Sequence, residues 1–398
     1  MSNGYVMSPR SKLPVDLDPV RLIAFYLPQF HPIPENDRWW GPGFTEWTNV
    51  TRARPLFRGH YQPHLPADLG FYDLRLPEAR EAQAGLARTH GISGFCYYHY
   101  WFGGRRLLER PLDEVLASGR PDFPFCLCWA NETWSRRWSG EERDILIAQN
   151  YPAGDDRRHA EWLLRAFDDG RYLRVGQRPI FLIYRPHDLP NPRETVEVFR
   201  STATRAGQPE PWLVAVDAHR LMTDFRDLGF DANLGFSPQL SVFGPECFYD
   251  PPALSKLKAN VQLGIPSAAL KLCDDAEARR RMRNIPRPPG TLPCCYVSWD
   301  NSPRRGRNGI VYLNGSPERF EKDLEQFVAD AQALPPESRL VFVNAWNEWA
   351  EGNHLEPDQR YGLAYLEAVR RVADRSGRLG RPDAPCHLVA AMPPQPRE

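Results

Sequence analysis

The sequence of 398 residues lacks an excess of either charge and lacks any long apolar run. Lys plus Arg and Asp plus Glu each number 50, and the one notable basic run is the short stretch 279–281. A balanced chain of this kind offers no basic surface to nucleic acid or to an anionic membrane. No segment reaches the roughly 20 apolar residues of a membrane span, and the amino end lacks a signal-peptide core. We therefore expect no nucleic-acid partner, no membrane span and a cytoplasmic location.

Cysteine and histidine spacing gives no sign of a disulfide framework or of a metal site. The close cysteine pairs, 126 with 128 and 294 with 295, lack the CxxC spacing of zinc sites. Four of the eight cysteines lie within apolar runs, as small buried hydrophobic groups do: Cys96, Cys126, Cys128 and Cys295. His31, His219 and His354 do not form an HExxH or other known ligand pattern. We expect no metal and no other cofactor.

Proline and tryptophan are, in contrast, abundant, with 40 and 12 residues. Together they indicate many ordered loops that carry aromatic rings. Such rings suit sugars, because the C–H faces of a sugar can stack on them.

Short apolar runs alternate with amphipathic helical patterns along the chain. The runs predict eight strands, at 22–27, 92–98, 125–129, 180–184, 213–216, 232–236, 295–298 and 340–345. Apolar residues at spacings of three and four predict helices at 76–90, 107–118, 155–169, 192–206, 316–334 and 361–376. Eight rounds of this alternation predict an α/β fold, a single (β/α)8 barrel of the TIM type. The barrel is expected to span 21–380, with a flexible segment at 1–20 and a tail at 381–398.

Polar and aromatic residues follow six of the predicted strands, always at the same end. A TIM barrel places its chemistry at the carboxyl ends of its strands, so we expect these residues to form one cleft. Long loops at 30–76, 131–155 and 239–293 are expected to form its walls. The candidate substrate-binding residues are Tyr26, His31, Trp47, Tyr98, His99, Trp129, Asn131, Glu132, Tyr184, Asp217, Asp300, Trp346, Asn347, Trp349, His354 and Glu356.

Ten of the 12 tryptophans lie in or beside the polar segments. Isolated tryptophans are rarely exposed in loops without a partner, so a shared cleft would explain their placement. We therefore predict that four of them surround the cleft as platforms for sugar rings, namely Trp129, Trp134, Trp346 and Trp349.

Several of these candidates have an equally plain structural interpretation. The strand-end acids Glu132, Asp217 and Asp300 either bind sugar hydroxyls or bond to neighbouring loops. The polar rings of Tyr98, His99 and Tyr184 either line the cleft or fill satisfied structural positions. The residue pattern leaves both interpretations open.

The stretch 341–358 changes abruptly from apolar and β-branched to aromatic and acidic at Asn347. Glu348 and Glu351 are three residues apart, so they would face opposite sides of a continuing strand but could share a cleft in a helical turn or tight loop. The strand must therefore stop near Asn347. Two carboxyl groups in one cleft are what cleavage of a glycosidic bond requires. The alternative is that both are first-turn acids favoured by a helix dipole.

Four long motifs resemble the WbsX-type family. They are RLIAFYLPQFHPIPEN at 21–36, WWGPGFTEWTNV at 39–50, CWANETW at 128–134 and NAWNEWAEGNHLEP at 344–357. The family is grouped with the family 99 glycoside hydrolases, which are endo-acting α-mannosidases and mannanases. The resemblance to the WbsX type covers 21–376, whereas that to the hydrolases lies in the E-W-x-E-G motif and the barrel.

The resemblance implies a retaining mechanism in which the enzyme supplies no nucleophile. Glu348 would deprotonate the sugar 2-hydroxyl, which attacks its own anomeric carbon to form an epoxide-like intermediate. Glu351 would act as general acid and then as general base. The implied substrate is an oligosaccharide or polysaccharide, namely a bacterial surface polysaccharide or its precursor. Because such chains are named glycosyltransferases, transfer in O-antigen or lipopolysaccharide biosynthesis is the alternative.

Three functional hypotheses follow. The first is a glycosidase or transglycosylase, the second a nucleotide-sugar-dependent glycosyltransferase, and the third a carbohydrate-binding protein without catalysis. A transferase should show a glycine-rich strand-to-helix turn or a DxD-like metal pair. The adjacent aspartates at 168–169 and 274–275 lie in helical patterns, far from strand ends. The presence of both glutamates argues against a protein that only binds.

Overall fold

The computed structural model describes residues 20–136, 144–218, 223–240 and 270–376. Within these residues, eight parallel strands form a closed barrel surrounded by helices, which confirms the predicted (β/α)8 fold. The barrel strands are β1 (Arg21–Tyr26), β2 (Gly94–Phe102), β3 (Phe125–Trp129), β4 (Arg178–Ile183), β5 (Trp212–Val216), β6 (Ala232–Gly235), β7 (Leu292–Tyr296) and β8 (Leu340–Asn344).

Each barrel strand pairs in parallel with the next strand along the chain. The barrel closes because β8 also pairs with β1, with Ile23 opposite Phe342. Almost every strand residue is buried, since the helices cover the outer face and side chains fill the interior. This explains why the strands are continuous apolar runs without a polar alternation.

The eight predicted strands all overlap observed ones. The largest displacement is at the end of β2, four residues beyond the predicted 98, and the next is in β7, which begins at Leu292 although the apolar pattern predicted a start at 295. Pro293 lies inside this strand, and proline normally argues against a central strand position. Strand β2 continues to Phe102 because its end pairs in an antiparallel hairpin with Arg105–Leu107.

The helices of the described residues include all six predicted ones, with ends that differ by at most three residues. The bounds are α1 (Pro34–Trp40), α2 (Glu46–Arg52), α3 (Pro77–Thr89), α4 (Arg110–Ser118), α5 (Asp155–Phe167), α6 (Pro192–Arg205), α7 (Asp275–Arg283), α8 (Ser302–Arg305), α9 (Pro317–Ala331) and α10 (Ala364–Arg375). Several begin as the sequence requires. For example, the Ser316 side chain accepts a hydrogen bond from the Arg319 amide, and Pro317 occupies the first turn of α9.

Short antiparallel or parallel strand pairs lie in the loops at both ends of the barrel. They are Trp134–Ser135 with Ile145–Ile147, Arg174–Val175 with β4, Lys271–Asp274 with Ile310–Leu313, and Asn347–Glu348 with Asn353–His354. No helix of the described residues is long and apolar enough to cross a bilayer. Residues 1–19, residues 377–398, His219, Trp138 and most of the predicted wall 239–293 lie outside the described residues.

Candidate active site

A cleft of about 310 Å³ opens at the carboxyl ends of the barrel strands. One side is formed by β1, β7, β8 and the segments that follow them, which contribute Gln29, Asn36, Trp299, Arg304, Asn344, Glu348 and Glu351. The other lining residues are largely aromatic and come from β2, β3, β4, β6 and their loops, with Tyr98, Tyr100, Trp134, Tyr184 and Phe236. The cleft therefore combines polar side chains, among them both glutamates, with an aromatic lining.

The chain leaves the barrel immediately after β8 and forms a tight turn that carries both glutamates. Asn347–Glu348 pairs with Asn353–His354, and between them Trp349–Glu351 forms one turn of 3-10 helix. The turn is fixed to the residue that follows β1. The Asn347 side chain accepts a hydrogen bond from the Leu27 amide (2.7 Å) and donates one to the Leu27 carbonyl (3.0 Å). The turn allows Glu348 and Glu351 to enter the same cleft, as their spacing required.

The segment after β7 packs against this turn and bonds to it. The Asp300 amide donates to the Glu351 carbonyl at 2.7 Å. Gly352 has a φ of 58°, and a Cβ added to it would lie 3.0 Å from the Asp300 Cβ. Both the left-handed backbone and the close approach therefore require glycine at this position.

Asp300 itself is held by the long loop after β1. Its Oδ2 accepts from His60 Nε2 (2.7 Å) and Gln62 Nε2 (2.6 Å), and its Oδ1 accepts from the Ser302 amide (2.9 Å). His60 Nδ1 accepts from a backbone amide, so Nε2 carries the proton. Burial disfavours the ionised carboxylate, but these donors hold the pKa of Asp300 below its ordinary value. Asp300 thus fixes the start of α8, the helix that carries Arg304.

Arg304 donates hydrogen bonds to three carboxylates. Its Nε contacts Glu46 at 2.8 Å, its Nη2 contacts Glu348 at 2.9 Å, and its Nη1 contacts Glu351 at 2.6 Å. The guanidinium thereby bridges the two glutamates and sets their separation. The sequence hypothesis missed Arg304 and Glu46, although Arg304 closely follows the polar segment after β7 and Glu46 lies within the motif at 39–50.

Arg304, Glu348 and Glu351 are buried together, and their pKa values depend on one another. Burial raises the pKa of Glu348 to about 8; Arg304 opposes this rise, whereas the negative charge of Glu351 adds to it. Burial also raises the pKa of Glu351. Burial disfavours the Arg304 cation, yet its three acidic neighbours hold its pKa above the ordinary value. Three carboxylates around one guanidinium would carry excess negative charge, so the glutamate pair retains a proton near neutral pH.

Three of the predicted substrate-binding residues line the cleft together with the glutamate pair: Tyr98, Glu132 and Tyr184. The rings of Tyr98 and Tyr184 meet edge to face, with centroids 6.1 Å apart. Glu132 accepts from the Arg185 guanidinium at 2.9 Å, so its charge is balanced at the rim of the cleft.

Of the four predicted tryptophan platforms, Trp134 lines the cleft and the other three do not. Trp129, Trp346 and Trp349 are fully buried, so the prediction that they stack on sugars at the cleft surface is wrong. Their rings pack inside the protein; Trp349, for example, stacks on His354 with centroids 3.8 Å apart. Aromatic residues just beyond a strand alternate in direction, and the sequence does not show which of them turn inward.

Glu356 is the centre of a buried network behind the cleft. It accepts hydrogen bonds from the Tyr72 hydroxyl (2.8 Å), the Gln83 amide (2.7 Å) and the Trp349 indole (2.6 Å). The Tyr26 hydroxyl donates in turn to Gln83 at 2.7 Å. Burial raises the pKa of Glu356 to about 7, and these donors oppose the rise. Tyr26 and Glu356 do not line the cleft; they support the turn that carries Trp349.

Other predicted residues are also committed to the scaffold. The Trp47 indole donates to the Tyr72 carbonyl at 2.9 Å. The Asn131 carbonyl oxygen accepts from the Arg185 amide at 2.8 Å, and its amide group donates to the Arg185 carbonyl at 2.9 Å. With Asn347 and Asp300, these side chains position the loops and do not line the cleft.

Three further predicted residues, His31, His99 and Asp217, are not among the residues that line the cleft. His99 contacts His159 at 3.0 Å between the two Nε2 atoms, inside a group of aromatic rings. His31 Nδ1 lies 2.9 Å from the Pro28 carbonyl oxygen, and burial lowers the pKa of His31 to about 4. Asp217 directly follows β5.

One group of the described residues is close enough to hold a metal ion: His64, His354 and Asp358, whose ligand atoms lie within 4.8 Å of one another. His354 Nδ1 donates to the Glu356 carbonyl at 2.9 Å, so its Nε2 accepts from His64 Nδ1 at 3.0 Å. Burial lowers the pKa of both histidines, that of His354 to about 4, which keeps them neutral. This hydrogen-bonded pair joins the loops after β1 and β8 outside the cleft lining.

Comparison with known proteins agrees with the family suggested by the motifs. Residues 22–369 match the model of the family described as Glycosyltransferase WbsX. Over 375 residues the chain is 46% identical to an uncharacterized protein, WxcX, from each of two strains of Xanthomonas campestris pv. campestris. The matches cover 94% of this chain and 52% of each relative, so the chain spans about half the length of the curated relatives it matches.

Solved structures with the same fold are more distant in sequence. The GH99 endo-alpha-mannosidase from Bacteroides thetaiotaomicron is 13% identical, with a TM-score of 0.51, and the match covers 90% of this chain and 97% of that one. A glycoside hydrolase-like protein is also 13% identical, with a TM-score of 0.53 and coverage of 92% and 97%. At this level of identity the likeness shows the fold alone.

Proposed function

This chain belongs to the Glycosyltransferase WbsX family, and from that premise we propose that it breaks or transfers glycosidic bonds as a retaining glycoside hydrolase or transglycosylase. The proposed substrate is a bacterial surface polysaccharide or its precursor. The observation that carries the proposal is the convergence of Glu348 and Glu351 on Arg304 at the cleft, because one guanidinium bridges the two carboxyl groups. A paired acid and base in a cleft is the arrangement that glycoside cleavage needs.

The proposed reaction uses the proton that the pair retains. Glu348 takes the proton of the sugar 2-hydroxyl while the oxygen attacks the anomeric carbon, and the Glu351 proton passes to the departing oxygen. Glu351 then takes a proton from water, or from an acceptor hydroxyl, as that oxygen opens the epoxide-like intermediate; Glu348 returns its proton to the 2-oxygen. Two inversions at the anomeric carbon give retention. The division of roles requires the shared proton to lie on Glu351 when the glycosidic bond breaks.

The main alternative is a nucleotide-sugar-dependent transferase, which the description of the family favours. The adjacent aspartates that could bind a metal–diphosphate form salt bridges within the scaffold. Asp169 bonds to Arg171 at 2.6 Å, and Asp275 bonds to Arg279 at 2.8 Å. Neither pair belongs to the cleft lining. A protein that only binds sugars would have no use for two adjacent carboxyl groups with raised pKa values.

We expect the chain to release new reducing ends from the cell-surface polysaccharide of the organism that produces it, without any nucleotide sugar. A reducing-sugar assay and mass spectrometry would measure the release. A doubly substituted chain, Glu348→Gln with Glu351→Gln, serves as the control and should release none. The opposite result, no release but incorporation from a labelled nucleotide sugar, would contradict hydrolysis and favour transfer.

The dependence of kcat/KM on pH is expected to be bell-shaped. At alkaline pH the glutamate pair loses its shared proton, which burial holds to a pH above the ordinary range of a carboxyl pKa, so the general acid is gone and activity falls. At acid pH the second carboxyl group takes up a proton, so the general base is gone and activity falls again. Activity that rises steadily to pH 10 would show that no carboxylic acid with a raised pKa supplies the proton.

A further inference from the structure

Asp358 is a buried carboxylate with which no Lys or Arg side chain of the described residues forms an ion pair. It is only 3% exposed. Its Oδ1 accepts hydrogen bonds from the backbone amides of Arg360 (3.1 Å) and Tyr361 (2.6 Å). The Arg360 guanidinium lies instead over two aromatic rings, 4.8 Å from the Tyr61 centroid and 5.1 Å from that of Tyr361. Buried charges in proteins are paired or bind a metal ion, so this carboxylate lacks the usual cation.

Two histidine side chains lie beside this carboxylate. One ring nitrogen of His64, one of His354 and a carboxylate oxygen of Asp358 all lie within 4.8 Å of one another. The two nitrogens, His64 Nδ1 and His354 Nε2, are 3.0 Å apart. Zinc bonds to histidine nitrogen at about 2.0–2.1 Å, so two nitrogens on one tetrahedral zinc ion are about 3.4 Å apart. The two rings therefore need to separate by only about 0.4 Å to share an ion.

The ring of His354 is already oriented for binding. Its Nδ1 donates to the Glu356 carbonyl at 2.9 Å, so the lone pair of its Nε2 points at His64. A histidine that binds a metal is typically held by such a bond from its other nitrogen. The opposite face of the ring environment is also fixed, because Trp349 stacks on His354 with centroids 3.8 Å apart.

The backbone fixes His64 and Asp358 relative to each other. Two backbone hydrogen bonds, of 2.9 and 3.0 Å, join the segment 65–67 to the segment 357–359. His64 directly precedes the first of these segments, and Asp358 lies within the second. The three side chains therefore belong to one bonded unit, although spacing could not have indicated it, since His64 and His354 are 290 positions apart.

We propose that His64, His354 and Asp358 form a zinc site that joins the loop after β1 to the turn after β8. Two histidines and a carboxylate are ligands that zinc commonly takes, with a water molecule as the fourth. One divalent ion would supply the cation that Asp358 lacks. The proton on His64 Nδ1 would move to Nε2 of the same ring, so that both facing nitrogens offer a lone pair.

The role of this ion would be structural. The site is nearly closed, since the most exposed of its three residues, His64, is 9% exposed. Such an ion is acquired as the fold assembles, and its binding free energy adds to the stability of the folded state. The loop that carries His64 also carries His60 and Gln62, which bond to Asp300. The ion would therefore hold two segments that support the cleft without lining it.

The full chain, purified from cells grown with added zinc and then desalted, is expected to contain about one zinc ion per chain by elemental mass spectrometry. Asp358→Asn and His64→Gln should each contain less than about one tenth of that, since even the loss of a ligand's hydrogen-bond partner costs about 10- to 100-fold in affinity. His90→Gln is the matched control, because His90 is also buried and bonded through Nδ1 to a backbone carbonyl. This variant should keep the full zinc content.

The melting temperature separates a metal ligand from a residue that is only structural. Dipicolinate, which removes zinc, should lower the Tm of the wild-type chain by several degrees, and added zinc should restore it, because the ion binds the folded state. Asp358→Asn keeps an oxygen that accepts from the two backbone amides. Its Tm in dipicolinate should therefore be close to that of the wild-type chain, and zinc should not change it.

Three results would overturn the proposal. They are a wild-type chain with less than about one tenth of a zinc ion, a zinc content that is equal in Asp358→Asn and the wild-type chain, and an Asp358→Asn chain whose Tm is lowered equally with and without zinc. None of these measurements involves a glycan, so the zinc site does not depend on the proposed function. A chain that binds zinc through Asp358 but cleaves no polysaccharide would keep this inference and lose that function.

Discussion

Glu351→Gln is expected to abolish cleavage of glycosides with poor leaving groups while largely sparing the first step for an activated aryl glycoside. The reason is that an activated leaving group needs no proton, so the loss of the general acid costs it little. Glu348→Gln is expected to lower the rate of cleavage of both substrates by about 10²- to 10⁴-fold, because the 2-hydroxyl stays a weak nucleophile without a base. Single-turnover kinetics with both substrates would measure the two effects.

The substrate itself provides the control for this prediction. A 2-deoxy or 2-O-methyl glycoside lacks the internal nucleophile and should be inert even with both glutamates intact. Normal turnover of such a substrate would exclude participation of the 2-hydroxyl. Equal losses for Glu348→Gln and Glu351→Gln on the activated glycoside would instead disprove the assignment of their roles.

Arg304→Met is expected to remove activity and to cost the protein stability, on the order of 3–5 kcal/mol in its free energy of unfolding at neutral pH. The substitution leaves Glu46, Glu348 and Glu351 buried without their shared cation. Because Arg304 opposes the rise in the pKa of Glu348, that pKa should rise further in the variant. The folded variant and the folded wild type differ in bound protons only where the wild-type Glu348 ionises, so the loss of Tm relative to wild type should grow as the pH rises through about 8.

Arg305→Met is the matched control, since Arg305 lies on the same short helix and also lines the cleft but forms no ion pair with these three glutamates. Its Tm should differ little from that of the wild-type chain at any pH. Adding Glu46→Gln to Arg304→Met should recover part of the lost stability, because one buried charge is removed. A loss of Tm that does not depend on pH, or an equal loss in Arg305→Met, would refute the electrostatic role of Arg304.

Local patterns carried the prediction of the fold. Each strand is a continuous apolar run and each predicted helix an amphipathic one, so elements such as β8 and α9 were visible within a few residues. The two short helices α1 and α2 were missed because they lie in a loop rich in tryptophan and proline, without an apolar stripe long enough to detect.

The candidate site was predictable only where its members are neighbours in sequence. Glu348 and Glu351 stood out through their spacing after an apolar strand. Arg304 reaches Glu46 across 258 positions, and no local pattern reports such a contact. The direction of a loop side chain is equally hidden, which is why Trp349 was expected at the surface and Asn36 was overlooked.

Because the barrel closes between β1 and β8, the position of Glu348 and Glu351 depends on residues from both ends of the barrel. The turn that carries Glu348 and Glu351 is fixed by Leu27, just after β1, and both glutamates share the Arg304 cation with Glu46. The segment after β7 also holds the turn, through the Asp300 amide and the Glu351 carbonyl, but the contacts with Leu27 and Glu46 require the first strand and its loop. A fragment that lacks either end of the barrel therefore lacks some of the contacts that place Glu348 and Glu351 together.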